Sequence, residues 1–178
     1  MILKIIILLF INNTQIVEAP KIANTFEINR SSAYAETLEL IKAHEGFANG
    51  KKYICPAGYL TIGYGHLIKK GEYFPNQITR EQADSLLIID FNKRIESVKR
   101  CTDLEGSQLI AIAHFVYAKG IGRFKRSALF KLIQNKEPID QEIVKWCYYR
   151  NVRGENMRSE GMYNNRLIEL EMFKNGMR

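Results

Sequence analysis

Glu45 continues an apolar helical stripe in which Tyr34, Leu38, Ile41 and Glu45 follow one another at i, i+4, i+7 and i+11. Gly46 then stops the helix, which places the carboxyl group at its negative end. Burial in that stripe and the helix end would both disfavour the charged form and raise the pKa. A carboxylic acid still protonated near neutral pH can give its proton to a glycosidic oxygen. Cys55 follows by ten residues and Thr61 by six more, in a segment rich in strand-forming residues. A hairpin there would carry both beside the helix end. Inverting glycosidases need a proton donor on one side of the sugar and a held water on the other. A threonine hydroxyl can orient that water, and a thiolate of lowered pKa can orient or activate it. Taken singly, each residue has a plainer role: a helix-end glutamate caps or pairs, a strand threonine packs, and a lone cysteine is an inert small hydrophobe. The combination carries the chemical reading.

The elements that must position these groups can be read from pattern. A helix is expected over 33–45 and short β structure over 52–65, with a turn at Cys55-Pro56-Ala57-Gly58. Thr79-Arg80-Glu81-Gln82 forms a capping box, followed by the stripe Ala83, Leu87, Phe91, Ile95 and Val98. Residues 107–118 are apolar nearly all round, as a buried central helix would be, and Gly120 and Gly122 are expected to end it. Further helices are expected at 127–134, 138–149 and 162–174, the last with Leu167, Leu170 and Phe173 facing inward.

At 178 residues, 46% hydrophobic and 25% charged, the chain has the makings of one domain with a real core. Met1 to Ile11 joins one lysine to an apolar run, too short to span a bilayer and similar to a secretory leader. Residues 1–19 are therefore assigned to a signal or signal-anchor, 20–32 to a polar linker and 33–178 to the functional domain. This implies export to the periplasm or beyond and transient membrane association through the leader. Removing 1–19 takes away Lys4 and Glu18, so the net charge stays at +7. That charge favours anionic partners without choosing among nucleic acid, lipid and cell wall. Cys55, Cys101 and Cys147 include no CxxC pair, which argues against structural zinc.

The stretch His44-Glu45-Gly46-Phe47, continued by Tyr53 through His66 (YICPAGYLTIGYGH), resembles the signature of phage-type lysozymes, the endolysins of glycoside hydrolase family 24. Members carry a Glu, then Asp or Cys, then Thr within T-x-G-x-G-H. Ile78 to Asp90, His114 to Leu129, and Gly161-Met162 with Arg166, Glu169 and Phe173 resemble later family segments, so the similarity spans 34–176. The Glu-to-Cys gap is one residue longer than usual, Ala118 replaces a common Asn, and Arg166 stands where a pair of arginines is usual.

The resemblance implies an α+β, lysozyme-like fold with a small β-hairpin lobe, a larger helical lobe and a cleft between them. It implies Glu45 as acid, Thr61 and Cys55 opposite, and Leu67, Tyr117 and Ser127 along the sugar cleft. Arg166 is expected near Glu45, where its charge would counter the effect of burial, and His66 is expected to hold structure. The implied reaction is hydrolysis of the β-1,4 bond between N-acetylmuramic acid and N-acetylglucosamine in peptidoglycan. The enzyme would be a monomer with no cofactor, no metal and no specific nucleic acid partner. Some exported members with cysteine at the Asp position lock it in a disulfide; here Cys55 could pair with Cys101 or Cys147, those two could pair together, or all three could stay reduced. Rival readings are a lytic transglycosylase, a cell-wall cysteine peptidase using Cys55 with His66 as base, and a non-catalytic wall-binding protein.

Overall fold

The stripe of Tyr34 and Ile41 forms one side of helix α1 (Ser32–Glu45), with Thr37 buried between them and bonded back to the Ala33 carbonyl at 2.7 Å. The computed structural model describes residues 32–47, 50–55, 58–151 and 153–176. The expected leader 1–19 and nearly all of the expected linker lie outside the described residues; Ser32 is already helical.

Three short strands follow: β1 (Tyr53–Ile54), β2 (Leu60–Ile62) and β3 (His66–Leu67), antiparallel in that order. Tyr53 lies opposite Thr61 and Thr61 opposite Leu67, so these three share one face. Ile54 and Leu60 pair on the other. The Gly58 amide donates to the Cys55 carbonyl at 2.8 Å, closing the expected turn, whose central residues Pro56 and Ala57 lie outside the described residues.

Thr79 caps α2 (Arg80–Lys99) through the reciprocal bonds of a capping box with Gln82, and its stripe from Ala83 to Val98 is buried throughout. Helix α3 (Gly106–Lys119) is the centre of the larger lobe: every residue from Leu109 to Val116 is buried. It packs against α1, α2 and the C-terminal helix α7 (Glu160–Asn175).

Three expectations change. Gly120, at φ 83°, does end α3, but Gly122 lies within a new short helix, α4 (Ile121–Lys125). After α5 (Ala128–Gln134) the helix expected at 138–149 is only α6 (Asp140–Ile143) and a 3-10 turn (Val144–Cys147). The chain leaves helical geometry at Trp146, and the β-forming tyrosines enter β4 (Tyr148–Arg150), paired with β5 (Asn156–Arg158). In α7 the buried face is Arg166, Glu169 and Phe173, while Leu167 is 41% exposed. A buried ion pair therefore takes the place assigned to leucine.

Candidate active site

Glu45 is the last residue of α1, and Gly46 follows it at φ 69°. Its side chain is 35% exposed rather than buried, because the position falls one turn beyond Ile41, at the boundary between the lobes. Its carboxylate faces the turn between β2 and β3. A Cβ built on Gly65 would lie 3.4 Å from Glu45 Oε2, and Gly65 has φ 86°, a conformation that side chains resist. The T-x-G-x-G-H segment thus brings bare backbone against the acid. Gly63, two residues earlier at φ 62°, lets the same turn approach Ala83 of α2.

Two tyrosines complete the surroundings. Tyr117 of α3 donates its hydroxyl to the Tyr64 carbonyl at 2.9 Å, tying the helical lobe to this turn. Burial pushes the Tyr117 hydroxyl well above its usual pKa, and the Glu45 and Asp90 charges push the same way. Burial likewise raises Tyr53, with Glu45 and Cys55 adding to it. Both phenols therefore stay protonated beside the acid. His44 places Nδ1 3.7 Å from Glu45 Oε1.

On the strands, Thr61 is 1% exposed and donates its hydroxyl to the Tyr59 carbonyl at 3.0 Å. Its oxygen is left as an acceptor. Cys55 is half-buried, its amide bonded to the Tyr59 carbonyl at 2.9 Å, so Cys55 and Thr61 are joined through one carbonyl. No disulfide joins Cys55, Cys101 and Cys147 among the described residues. Burial raises the Cys101 thiol.

The remaining sequence candidates divide. Leu67 shares the Thr61 face and is 45% exposed. Tyr117 is close to Glu45, but its hydroxyl is engaged by the Tyr64 carbonyl. Ser127 accepts from the Phe130 amide at 3.0 Å and donates to the Phe124 carbonyl at 2.6 Å, which makes it the cap of α5. Arg166 does not hydrogen-bond to Glu45: its Nη2 is 2.6 Å from Glu169 Oε1. Its guanidinium lies over the Phe115 ring at 4.9 Å. Its neighbour on α7 captures it because the two are three residues apart on one helix face. His66 is held on both ring nitrogens, by Asp90 at 2.6 Å and Glu72 at 3.1 Å. Both ring nitrogens thus face carboxylates, which argues against His66 serving Cys55 as a base.

Tyr53 and His44 lie close to Glu45 without having been singled out as site residues. The two-residue alternation and the hairpin register would have found Tyr53, since it pairs with Thr61.

The family model for phage lysozyme matches residues 42–169. This chain belongs to the phage lysozyme family. The endolysin of Bacillus phage B103 is 32% identical to this chain over 115 residues, 61% of the chain, but the match spans only 43% of that relative. The endolysin of Acyrthosiphon pisum secondary endosymbiont phage 1 is 30% identical over 77% of the chain and 94% of its own length. Among solved structures, the muramidase domain of SpmX from Asticaccaulis excentricus superposes with a TM-score of 0.68 at 26% identity, covering 81% of this chain and 98% of the domain. The endolysin of Escherichia coli O157:H7 phage FAHEc1 gives 0.64 at 25% identity, covering 81% and 94%. These likenesses agree with the α+β lysozyme fold built above.

Proposed function

We propose that the chain is a muramidase that hydrolyses the β-1,4 bond between N-acetylmuramic acid and N-acetylglucosamine in peptidoglycan. The observation that carries this is the placement of the Glu45 carboxylate at the end of α1 against the bare backbone of Gly65, in the hairpin that also presents Thr61. Glu45 protonates the leaving glycosidic oxygen. A water on the other side of the sugar donates one hydrogen to Thr61 Oγ1, whose own proton is directed to the Tyr59 carbonyl. The lone pair of that water attacks the anomeric carbon as the bond to the leaving oxygen breaks, and the proton the water sheds passes to the Cys55 thiolate or to solvent, from which Glu45 regains its own. Leu67 and Tyr53 line the Thr61 face, and Arg166 and His66 support the scaffold.

The enzyme works as a monomer on the wall outside the cytoplasmic membrane, reached through residues 1–19, with its membrane association transient. No helix among the described residues is long and apolar enough to cross a membrane. The test is mass spectrometry of muropeptides released by purified protein. Reducing ends are expected from wild type and near-complete loss from Glu45→Gln, by about 10²–10⁴-fold. Dominant 1,6-anhydro products would identify a transglycosylase instead. Activity that survives Glu45→Gln but not Cys55→Ser would identify a peptidase.

A further inference from the structure

On the face of the small sheet opposite Thr61, Ile62 and His66 are buried against the helical lobe, while the outer end of that face is exposed. Ile54 pairs with Leu60, and the Ile68 amide donates to the Leu60 carbonyl at 2.9 Å, so the three form a cross-strand aliphatic row. Ile54 is 65% exposed and Leu60 41%, while Ile68 is half-buried. Tyr73 is 94% exposed, with the Nζ of Lys52, two residues before Ile54, 5.8 Å from its ring centroid. Isolated surface apolar residues need no account, but a contiguous row with a fully presented tyrosine does.

The charge around the row is one-sided. Residues 46–79 contain four lysines, Lys51, Lys52, Lys69 and Lys70, against one acid, Glu72. Glu72 is already engaged by His66 and by the Lys69 amide at 2.9 Å. Lysines 51, 69 and 70 are exposed.

We propose that this face is a docking surface for an anionic lipid bilayer. The lysines meet the headgroup phosphates, Tyr73 sits at headgroup level, and Ile54 and Leu60 enter the acyl boundary. An anionic wall polymer would satisfy the lysines but gives the aliphatic row no apolar phase, which decides between the two. Strand alternation adds a consequence that rests on the muramidase reading. With Ile54 and Leu60 against the membrane, Tyr53, Thr61 and Leu67 turn away from it, toward the wall. Docking would then keep the enzyme close to the bilayer while the cleft opens outward.

The experiment is sedimentation of the full chain with phosphatidylglycerol-containing vesicles and with pure phosphatidylcholine vesicles. Wild type is compared with Ile54→Thr/Tyr73→Ser and with Lys69→Gln/Lys70→Gln. All four side chains lie outside the catalytic groups, and hydrolysis of soluble peptidoglycan fragments should be unchanged, which separates this test from that of the muramidase reading. Each double variant is expected to lose about tenfold or more in partitioning to the anionic vesicles. Three results would overturn the proposal. Variants binding as tightly as wild type would assign all membrane contact to the N-terminal segment. Binding to lipid-free teichoic acid but not to vesicles would assign the lysines to a wall polymer. Concentration-dependent dimerisation abolished by Ile54→Thr/Tyr73→Ser would make the face a contact between two copies.

Discussion

The Tyr117 hydroxyl donates to the Tyr64 carbonyl at 2.9 Å and so ties the central helix to the turn that lies on Glu45. Tyr64 precedes Gly65, whose backbone borders the Glu45 carboxylate, so this phenol, together with the His66–Asp90 bond and the Gly63–Ala83 contact, sets the turn against the acid. Tyr117→Phe keeps the ring and removes the tie. The Tyr64 carbonyl then loses its buried donor, and stability should fall by about 1–2 kcal/mol. If the phenol positions the turn, kcat should fall by about tenfold with KM little changed, because the misplacement affects the reacting geometry. Equal kcat in wild type and variant at full folding would leave Tyr117 with packing alone.

Thr61 offers a sharper separation of chemistry from structure. Its hydroxyl proton is committed to Tyr59, so only its lone pair can meet a water. Thr61→Val keeps the shape and should lower kcat by about 10²–10³-fold, while Thr61→Ser retains most of the activity. The Val variant also leaves the Tyr59 carbonyl one donor short, so thermal melts should accompany the rates. A Val variant of near wild-type kcat would remove Thr61 from the mechanism.

The elements that hold this candidate site are legible in the sequence for a physical reason. A capping box, an all-apolar helix and a T-x-G-x-G-H turn are local patterns whose energetics lie within a few residues, and α2, α3 and the hairpin follow them. The errors came where a contact across the fold overrode local preference. Leu167 looks like a core residue, yet the buried face of α7 is set by Arg166 and Glu169 meeting His114 of α3. Residues 138–149 look helical until Trp146 turns the chain and packs at 5.1 Å on Phe115. Glu45 fits an apolar stripe, but only the boundary between lobes determines that it stays partly exposed.

Gly65 should tolerate no side chain. At φ 86° an alanine costs about 1–2 kcal/mol in backbone strain. Its methyl group would also fill the contact to Glu45 Oε2. Gly65→Ala is therefore expected to lower both the melting temperature and kcat, whereas Gly71→Ala, at φ 91° with open space around it, should lower the melting temperature alone. Calorimetry beside initial rates distinguishes the two.

The His66–Asp90 pair gives stability a defined pH window. The hydrogen bond to Asp90 chiefly raises the His66 pKa, with burial opposing and the Asp90 charge and Glu72 assisting. Burial alone would raise Asp90, but the bond and charge of His66, together with Lys93, hold it below its usual value. A raised histidine stabilises fully below its unfolded value of 6.5, and the effect is lost as pH rises through the folded pKa. A lowered aspartate stabilises above 3.8 and loses the effect as pH falls. The pair therefore contributes most between 3.8 and 6.5. Asp90→Asn should cost about 1–3 kcal/mol near pH 5.5 and much less near pH 9. Denaturant melts showing the same loss at both values would contradict this.

Arg166 and Glu169 make the strongest claim on folding, because both are at most 1% exposed and His114 shares the same carboxylate oxygen at 2.7 Å. Removing one partner leaves a buried charge, so Arg166→Met or Glu169→Leu alone should cost about 3–5 kcal/mol. The double variant should cost less than the sum, since neither charge then remains uncompensated. Arg166 Nε and Nη1 and Glu169 Oε2 already lack hydrogen-bond partners among the described residues, which lowers what the pair contributes beyond a well-packed apolar substitute. The pH profile of kcat/KM then decides the question that the sequence raised about Arg166. Its charge is held by Glu169 rather than Glu45, so folded Arg166→Met should keep the wild-type profile. A displaced limb would instead place the arginine in direct electrostatic contact with the acid.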